Sequence, residues 1–147
     1  MTAIEIKVVN KGSQPLPEYA MPGDAGMDLR ANIDQPVLLK SLDRHLFPTG
    51  LHIKLPEGFV AMVHPRSGLA IKHGISCANA VGVIDSGYTG DIGVELINLS
   101  KEDYVVQPGE RIAQLVIQEY VKGVFVPVDK LDETERGEEG FGHTGNK

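Results

Sequence analysis

Polar and apolar residues alternate with period two along Ile4-Glu5-Ile6-Lys7-Val8, the pattern of a half-buried strand. The same alternation returns in Leu51-His52-Ile53-Lys54-Leu55 and stops at Pro56-Glu57-Gly58, a turn signal. Phe59 to Val63 is continuously apolar, which predicts a strand buried on both faces. Shorter apolar runs predict strands at Met27–Ala31, Val37–Leu39, Ile75–Cys77, Val81–Ile84, Ile92–Ile97, Tyr104–Val106, Ile112–Ile117 and Val124–Val128. Asn10 to Gly26 is rich in Pro, Gly and Asn and reads as irregular. One helix is predicted, from about Ser67 to His73, with Pro65 before it and Gly74 in the position of a C-terminal glycine. No repeat at a fixed period is present. Many short strands and one short helix predict an all-β fold, a jelly roll or a related barrel or sandwich.

Composition sharpens this picture. The 147 residues suit one domain. Aromatic residues make up only 5% and tryptophan is absent, so aliphatic side chains must fill the core. A net charge of −6 argues against a non-specific nucleic-acid binder, though not against a nucleotide substrate. No apolar run approaches a membrane span, and the first residues lack the apolar stretch of a secretory leader. Cys77 is the single cysteine, which predicts a reducing compartment, the cytoplasm. With no neighbouring cysteine and no evident catalytic partner, Cys77 reads as a buried structural thiol. His64 and His73 are too far apart in sequence for a single-turn metal pair.

From Asp129 onward the chain holds six carboxylates against three Lys or Arg and almost no apolar residue, the composition of a solvated tail. Arg136 and Phe141 are set among its clustered glycines. They make a segment able to order over a phosphorylated ligand.

Five segments carry more chemistry than the rest. They are Ala25–Ala31 with Asp28 and Arg30, Pro65–Ala70 with Arg66 and Ser67, Asn79–Gly90 with Asp85 and Tyr88, Pro108–Gln114, and Arg136–Gly145. Each has a plain structural reading. Asp28 and Arg30 make a surface pair. Arg66-Ser67 begins a helix, although Ser67 and first-turn amides also suit a phosphate. Asp85 to Gly90 makes a hairpin connection. Gln114 shares the face of Ile112 and Val116, so if buried it needs a hydrogen-bond partner. No P-loop and no dinucleotide fingerprint is present.

Together and in order, the five segments resemble the five motifs of the trimeric deoxyuridine triphosphatases (dUTPases), from Ala25 to Gly145. The resemblance implies a jelly-roll-like distorted β barrel over residues 1–130, with residues 131–147 as a mobile Gly-rich lid on the active site. It implies a homotrimer with three shared sites that hydrolyses dUTP to dUMP and pyrophosphate. Such an activity limits uracil incorporation into DNA and supplies dUMP for thymidylate synthesis. Mg²⁺ is the implied cofactor, held mainly by the substrate phosphates and water, and neither nucleic acid nor membrane is an implied partner.

By motif position, Asp85 resembles the carboxylate that activates the attacking water, and Asn79 with the backbone of Val81, Gly82, Val83 and Ile84 resembles the uracil reader. Tyr88 resembles the residue under the deoxyribose that excludes a 2′-hydroxyl. Arg66, Ser67, Gly68 and Gln114 match phosphate-holding positions. Arg136, His143 and Thr144 match γ-phosphate contacts, Phe141 matches the aromatic that stacks on uracil, and Gly142 lies among them. Asp28 matches an acid that supports the site from behind. Glu139 and His143 stand where glycine and serine are more usual.

Two other readings compete with this one. Glu95 falls ten residues after Asp85, where the related dCTP deaminases carry a catalytic glutamate. Those enzymes, however, have an arginine where this chain has Ile71 and polar residues in place of Gly82-Val83, and they lack the fifth motif. Glu95 is therefore expected to face solvent between inward Val94 and Leu96. A non-catalytic nucleotide sensor on the same fold is the other reading. Asp85 and Tyr88 speak against it, since binding alone needs no water-positioning carboxylate.

Overall fold

The computed structural model describes residues 2–146. Ten strands and one helix follow in order: β1 (Lys7–Asn10), β2 (Gly26–Arg30), β3 (Val37–Leu39), β4 (Arg44–Lys54), β5 (Phe59–His64), α1 (Ser67–His73), β6 (Ile75–Cys77), β7 (Gly82–Ile84), β8 (Asp91–Asn98), β9 (Tyr104–Val106) and β10 (Arg111–Glu119). They form two four-stranded sheets, β1-β4-β8-β6 and β2-β10-β5-β7, and a small sheet of β3 and β9. Every pairing is antiparallel. This is an all-β, jelly-roll-like sandwich whose sheets remain open. None of the described helices is long and apolar enough to cross a membrane.

Alternation produces the core. On β8, Ile92, Val94 and Leu96 point inward while Gly93 and Glu95 are exposed. On β4, Phe47, Leu51 and Ile53 meet Leu29, Val63 and Leu115 of the other sheet in one cluster. That cluster is aliphatic as expected, with Phe47 its one fully buried aromatic side chain. The two buried polar side chains are both satisfied. Thr49 donates to the Ile92 carbonyl at 2.7 Å, and Asn98 donates to the carbonyls of Leu39 and Glu102 at 2.9 and 2.7 Å.

The helix has the expected bounds, and Gly74 ends it in the left-handed region at φ 67°, its N–H turned back to the Ala70 and Leu69 carbonyls. Other expectations are corrected. Pairing at the N-terminus covers Lys7–Asn10 rather than Ile4–Val8, because Ile6 packs against the core ahead of the first ladder. β4 begins at Arg44, well before Leu51. Its first half was obscured by Pro48 and Gly50, where the register to β8 shifts. β5 is only partly buried, since Met62 and His64 on its outer side and Phe59 at its start are half-exposed. Val124–Val128 is not a strand. Val124 is 85% exposed and Phe125 97%, because no sheet edge of the same chain lies beside them.

Candidate active site

The order β2-β10-β5-β7 carries the first, third and fourth segments on one sheet, and the second leaves the end of β5. Across it, Asp28 of β2 lies opposite Gln114 of β10, which lies opposite His64 of β5. The next residue back on β5, Val63, lies opposite Gly82 of β7. Antiparallel registers have therefore aligned residues separated by up to 90 positions in the chain, as for Gly26 and Val116.

Arg66, between β5 and α1, is the centre of the first group. Its Nε lies 3.2 Å from Asp28 Oδ1, and its guanidinium donates to the Arg111 carbonyl at 3.1 Å. Arg111 closes the group from the other side, 3.4 Å from Asp28 Oδ2. The Asp28 carboxylate is thus shared by two arginines. Both side chains of the Arg66 pair are about one-third exposed, at 30% and 35%, so the pair's value is orientation more than stability. Fixing a planar donor in one rotamer is what a phosphate site requires.

Gln114 donates to the Pro65 carbonyl at 3.1 Å, which answers its need for a partner and ties β10 to the residue before Arg66. A side chain at Gly26 would collide with Gln114 Oε1, so the glycine makes room for that amide. The face assignment of Gln114 needs one correction. A bulge between Arg111 and Ala113 buries Ile112 and Ala113 in succession, so Gln114 keeps the face of Val116 but not that of Ile112. Ser67 and Gly68 are exposed in the first turn of α1. Sequence reasoning gave Arg111 no role. The signal available was a second cation two residues after Gly109 in an already dense segment.

The second group is the β7 hairpin. Ala80, at φ 62°, turns the chain after Asn79, and Val81 N–H bonds back to the Asn79 carbonyl. Gly82 lies so close to Val63 that an added Cβ would stand 3.1 Å from the Val63 Cβ. Val83 is 59% exposed and Ile84 is buried. Asp85 follows on the exposed side. Tyr88 is half-exposed, its hydroxyl donating to the Asp91 carbonyl at 2.7 Å and its ring occupying the space that a side chain at Gly90 would take.

Among the described residues, no hydrogen bond or ion pair joins Asn79, Asp85 or Tyr88 to the Arg66 group. The fifth segment joins neither group. Arg136 donates to the Glu139 carbonyl at 2.7 Å within its own turn, and Phe141, at φ 48°, is fully exposed. Gly142, His143 and Thr144 lie with it along the exposed tail. Glu95 faces solvent, as expected for a strand residue between Val94 and Leu96. Cys77 is buried, and that burial, with the Glu95 charge second, pushes its thiol up to about 11. Such a thiol is not a nucleophile at neutral pH.

Comparison with known proteins gives one answer at every level. The dUTPase family model matches residues 12–145. A deoxyuridine 5′-triphosphate nucleotidohydrolase of Fusobacterium nucleatum is 51% identical, over 99% of both chains. One of Finegoldia magna is 49% identical, over 97% of this chain and 99% of its own. Among solved structures, a Staphylococcus bacteriophage 80alpha dUTPase mutant with dUpNHpp superposes with a TM-score of 0.87 at 27% identity, covering 97% of this chain and 99% of that one.

Proposed function

This chain belongs to the dUTPase family and hydrolyses dUTP to dUMP and pyrophosphate, a reaction in which we propose that Asp85 activates a water for attack on the α-phosphorus. Exposed and without a hydrogen-bond partner among the described residues, its carboxylate is free to take a water and accept its proton. The β7 hairpin, from Asn79 through Val81, Gly82, Val83 and Ile84, offers backbone donors and acceptors to the uracil edge. Such a reader leaves polar groups unpaired against the wrong base. Tyr88 packs under the deoxyribose and denies space to a 2′-hydroxyl.

The observation that carries this reading is the convergence on Arg66. Residues from three separate segments, Asp28, Arg66 and Arg111, lock one guanidinium while Gln114 ties the fourth segment to Pro65. Arg66, Ser67, Gly68 and Gln114 then receive the phosphates, where preorganised donors stabilise the charge that builds in the transition state. Mg²⁺ carried by the triphosphate would offset part of that charge, leaving the rest to Arg66, Ser67, Gly68 and Gln114. Asp28 is already engaged by two arginines and serves as their anchor.

Residues 131–147 act as a lid over the domain formed by 1–130, with Phe141 stacked on uracil and Arg136, Gly142, His143 and Thr144 around the γ-phosphate. Within one chain the hairpin lies beside β5, just before Arg66, while the described tail bonds only to itself. A tail that reaches the site of another copy fits a homotrimer with shared sites, which we place in the cytoplasm. Pyrophosphate release measured side by side on dUTP and dCTP tests the reading. Release from dUTP alone is expected, whereas ammonia release from dCTP would replace it with a deaminase using Glu95.

A further inference from the structure

The segment between β7 and β8 carries Asp85 and Tyr88 but belongs to neither strand. Apart from the flanking ladders, one backbone bond closes it, from the Tyr88 N–H to the Asp85 carbonyl. Its position against the sandwich therefore depends on side chains, and two of them come from one strand. His52 and Lys54 stand two residues apart on the outer face of β4, while Leu51 and Ile53 between and beside them are buried. His52 Nδ1 lies 2.9 Å from the Thr89 carbonyl, and Lys54 Nζ donates to the Ser86 carbonyl at 3.1 Å. A carbonyl only accepts, so His52 Nδ1 is the donor in this contact.

The spacing of these bonds is informative. Ser86 directly follows Asp85, and Thr89 directly follows Tyr88. Each β4 donor thus holds the residue immediately after one assigned to the reaction. A third tie completes the frame. The Asp91 carbonyl accepts from the Tyr88 hydroxyl, while the Asp91 carboxylate accepts from the N–H groups of Thr49 and Gly50 at the β4 bulge.

We propose that His52 and Lys54 are positioning residues for dUTP hydrolysis, a two-point clamp from β4 that sets the Asp85 carboxylate and the Tyr88 ring against the nucleotide. Neither lies in the five chemistry-bearing segments. The proposal rests on the roles given above to Asp85 and Tyr88. Lys54 is exposed and His52 half-buried, and neither is part of the core, so removing them leaves the sandwich intact. Catalysis is far more sensitive to placement than folding is.

The test is a His52→Ala/Lys54→Met double variant of the full chain, assayed beside Asp85→Asn and beside the donor-keeping His52→Gln/Lys54→Arg. With the clamp in place as described, the double variant loses about tenfold or more in kcat for dUTP. Its KM changes far less, its melting temperature stays near that of the parent, and its relative turnover of UTP rises. The donor-keeping variant recovers most of the rate and the preference for dUTP. If the double variant keeps the parental kcat and sugar preference while Asp85→Asn is inactive, the clamp is wrong and the site reading stands. A rate loss matched by a large fall in melting temperature, and not recovered by the donor-keeping variant, assigns the two residues to stability and also overturns the clamp. An active Asp85→Asn removes the site reading and the clamp with it.

Discussion

Asp28 and Asp85 differ in how the protein engages their carboxylates. Asp28 is held by Arg66 and Arg111, whereas Asp85 is exposed and free. Asp85→Asn keeps the shape and removes the proposed base, so dUTP binding measured by calorimetry should stay near normal while kcat collapses. Tyr88→Ala should raise turnover of UTP relative to dUTP, read from paired steady-state assays on protein whose circular dichroism is unchanged. Cys77 gives a prediction about pH. Burial raises its thiol from 9.0 to about 11 in the folded protein, so the unfolded chain ionises first. Its contribution is fully present below pH 9 and is lost as pH rises through about 11, on the order of 2–3 kcal/mol in all. Denaturant midpoints of the parent and Cys77→Ala should therefore converge across that window, because the alanine chain lacks this slope.

At the scale of elements, α1 and the strands around it were readable because each has a local cause. For α1, Pro65 before, Gly74 after and Leu69, Ala70 and Ile71 between leave few alternatives. Gly74 at φ 67° and the clean alternation of β8 are direct consequences. The β10 bulge and the first half of β4 were not readable, since one inserted residue shifts the face of all that follow and leaves no mark on composition. Val124–Val128 has strand composition without a strand, because a strand also needs an edge to pair with. Beyond it, the described tail is exposed almost throughout and contributes nothing to the core. Truncation before Thr134 should leave the melting temperature of the unliganded protein nearly unchanged and lower activity by orders of magnitude. Amide exchange across 137–145 should slow with a non-hydrolysable dUTP analogue and Mg²⁺ but not with dUMP, since ordering the lid costs entropy that only the full triphosphate offsets.

For the whole molecule, the open question is what covers the apolar surface of the arm between β10 and the lid. Val121 is 94% exposed, Phe125 97% and Leu131 80%, more than a solvated arm has reason to carry. The homotrimer proposed above would cover the arm and let the tail reach another copy's site, and sedimentation should then give three chain masses. Mixing inactive Asp85→Asn chains with inactive Arg136→Ala chains should restore activity, because some mixed trimers then hold a site built wholly from intact segments. Recovery after co-refolding, measured as pyrophosphate release, checks this. The local pattern of residues was enough for the fold class, the helix with both ends, the aliphatic core and the five segments from which the chemistry was inferred. All of these depend on periodicity or on short runs of neighbouring residues. Which segments meet was beyond that reach. Asp28 stands beside Arg66 and Arg111 because β10 pairs with both β2 and β5, and His52 and Lys54 reach the Asp85 loop because β4 and β8 share a sheet. Such contacts arise from strand register between distant parts of the chain, and register is decided by the packing of two whole sheets rather than by any residue's neighbours in sequence.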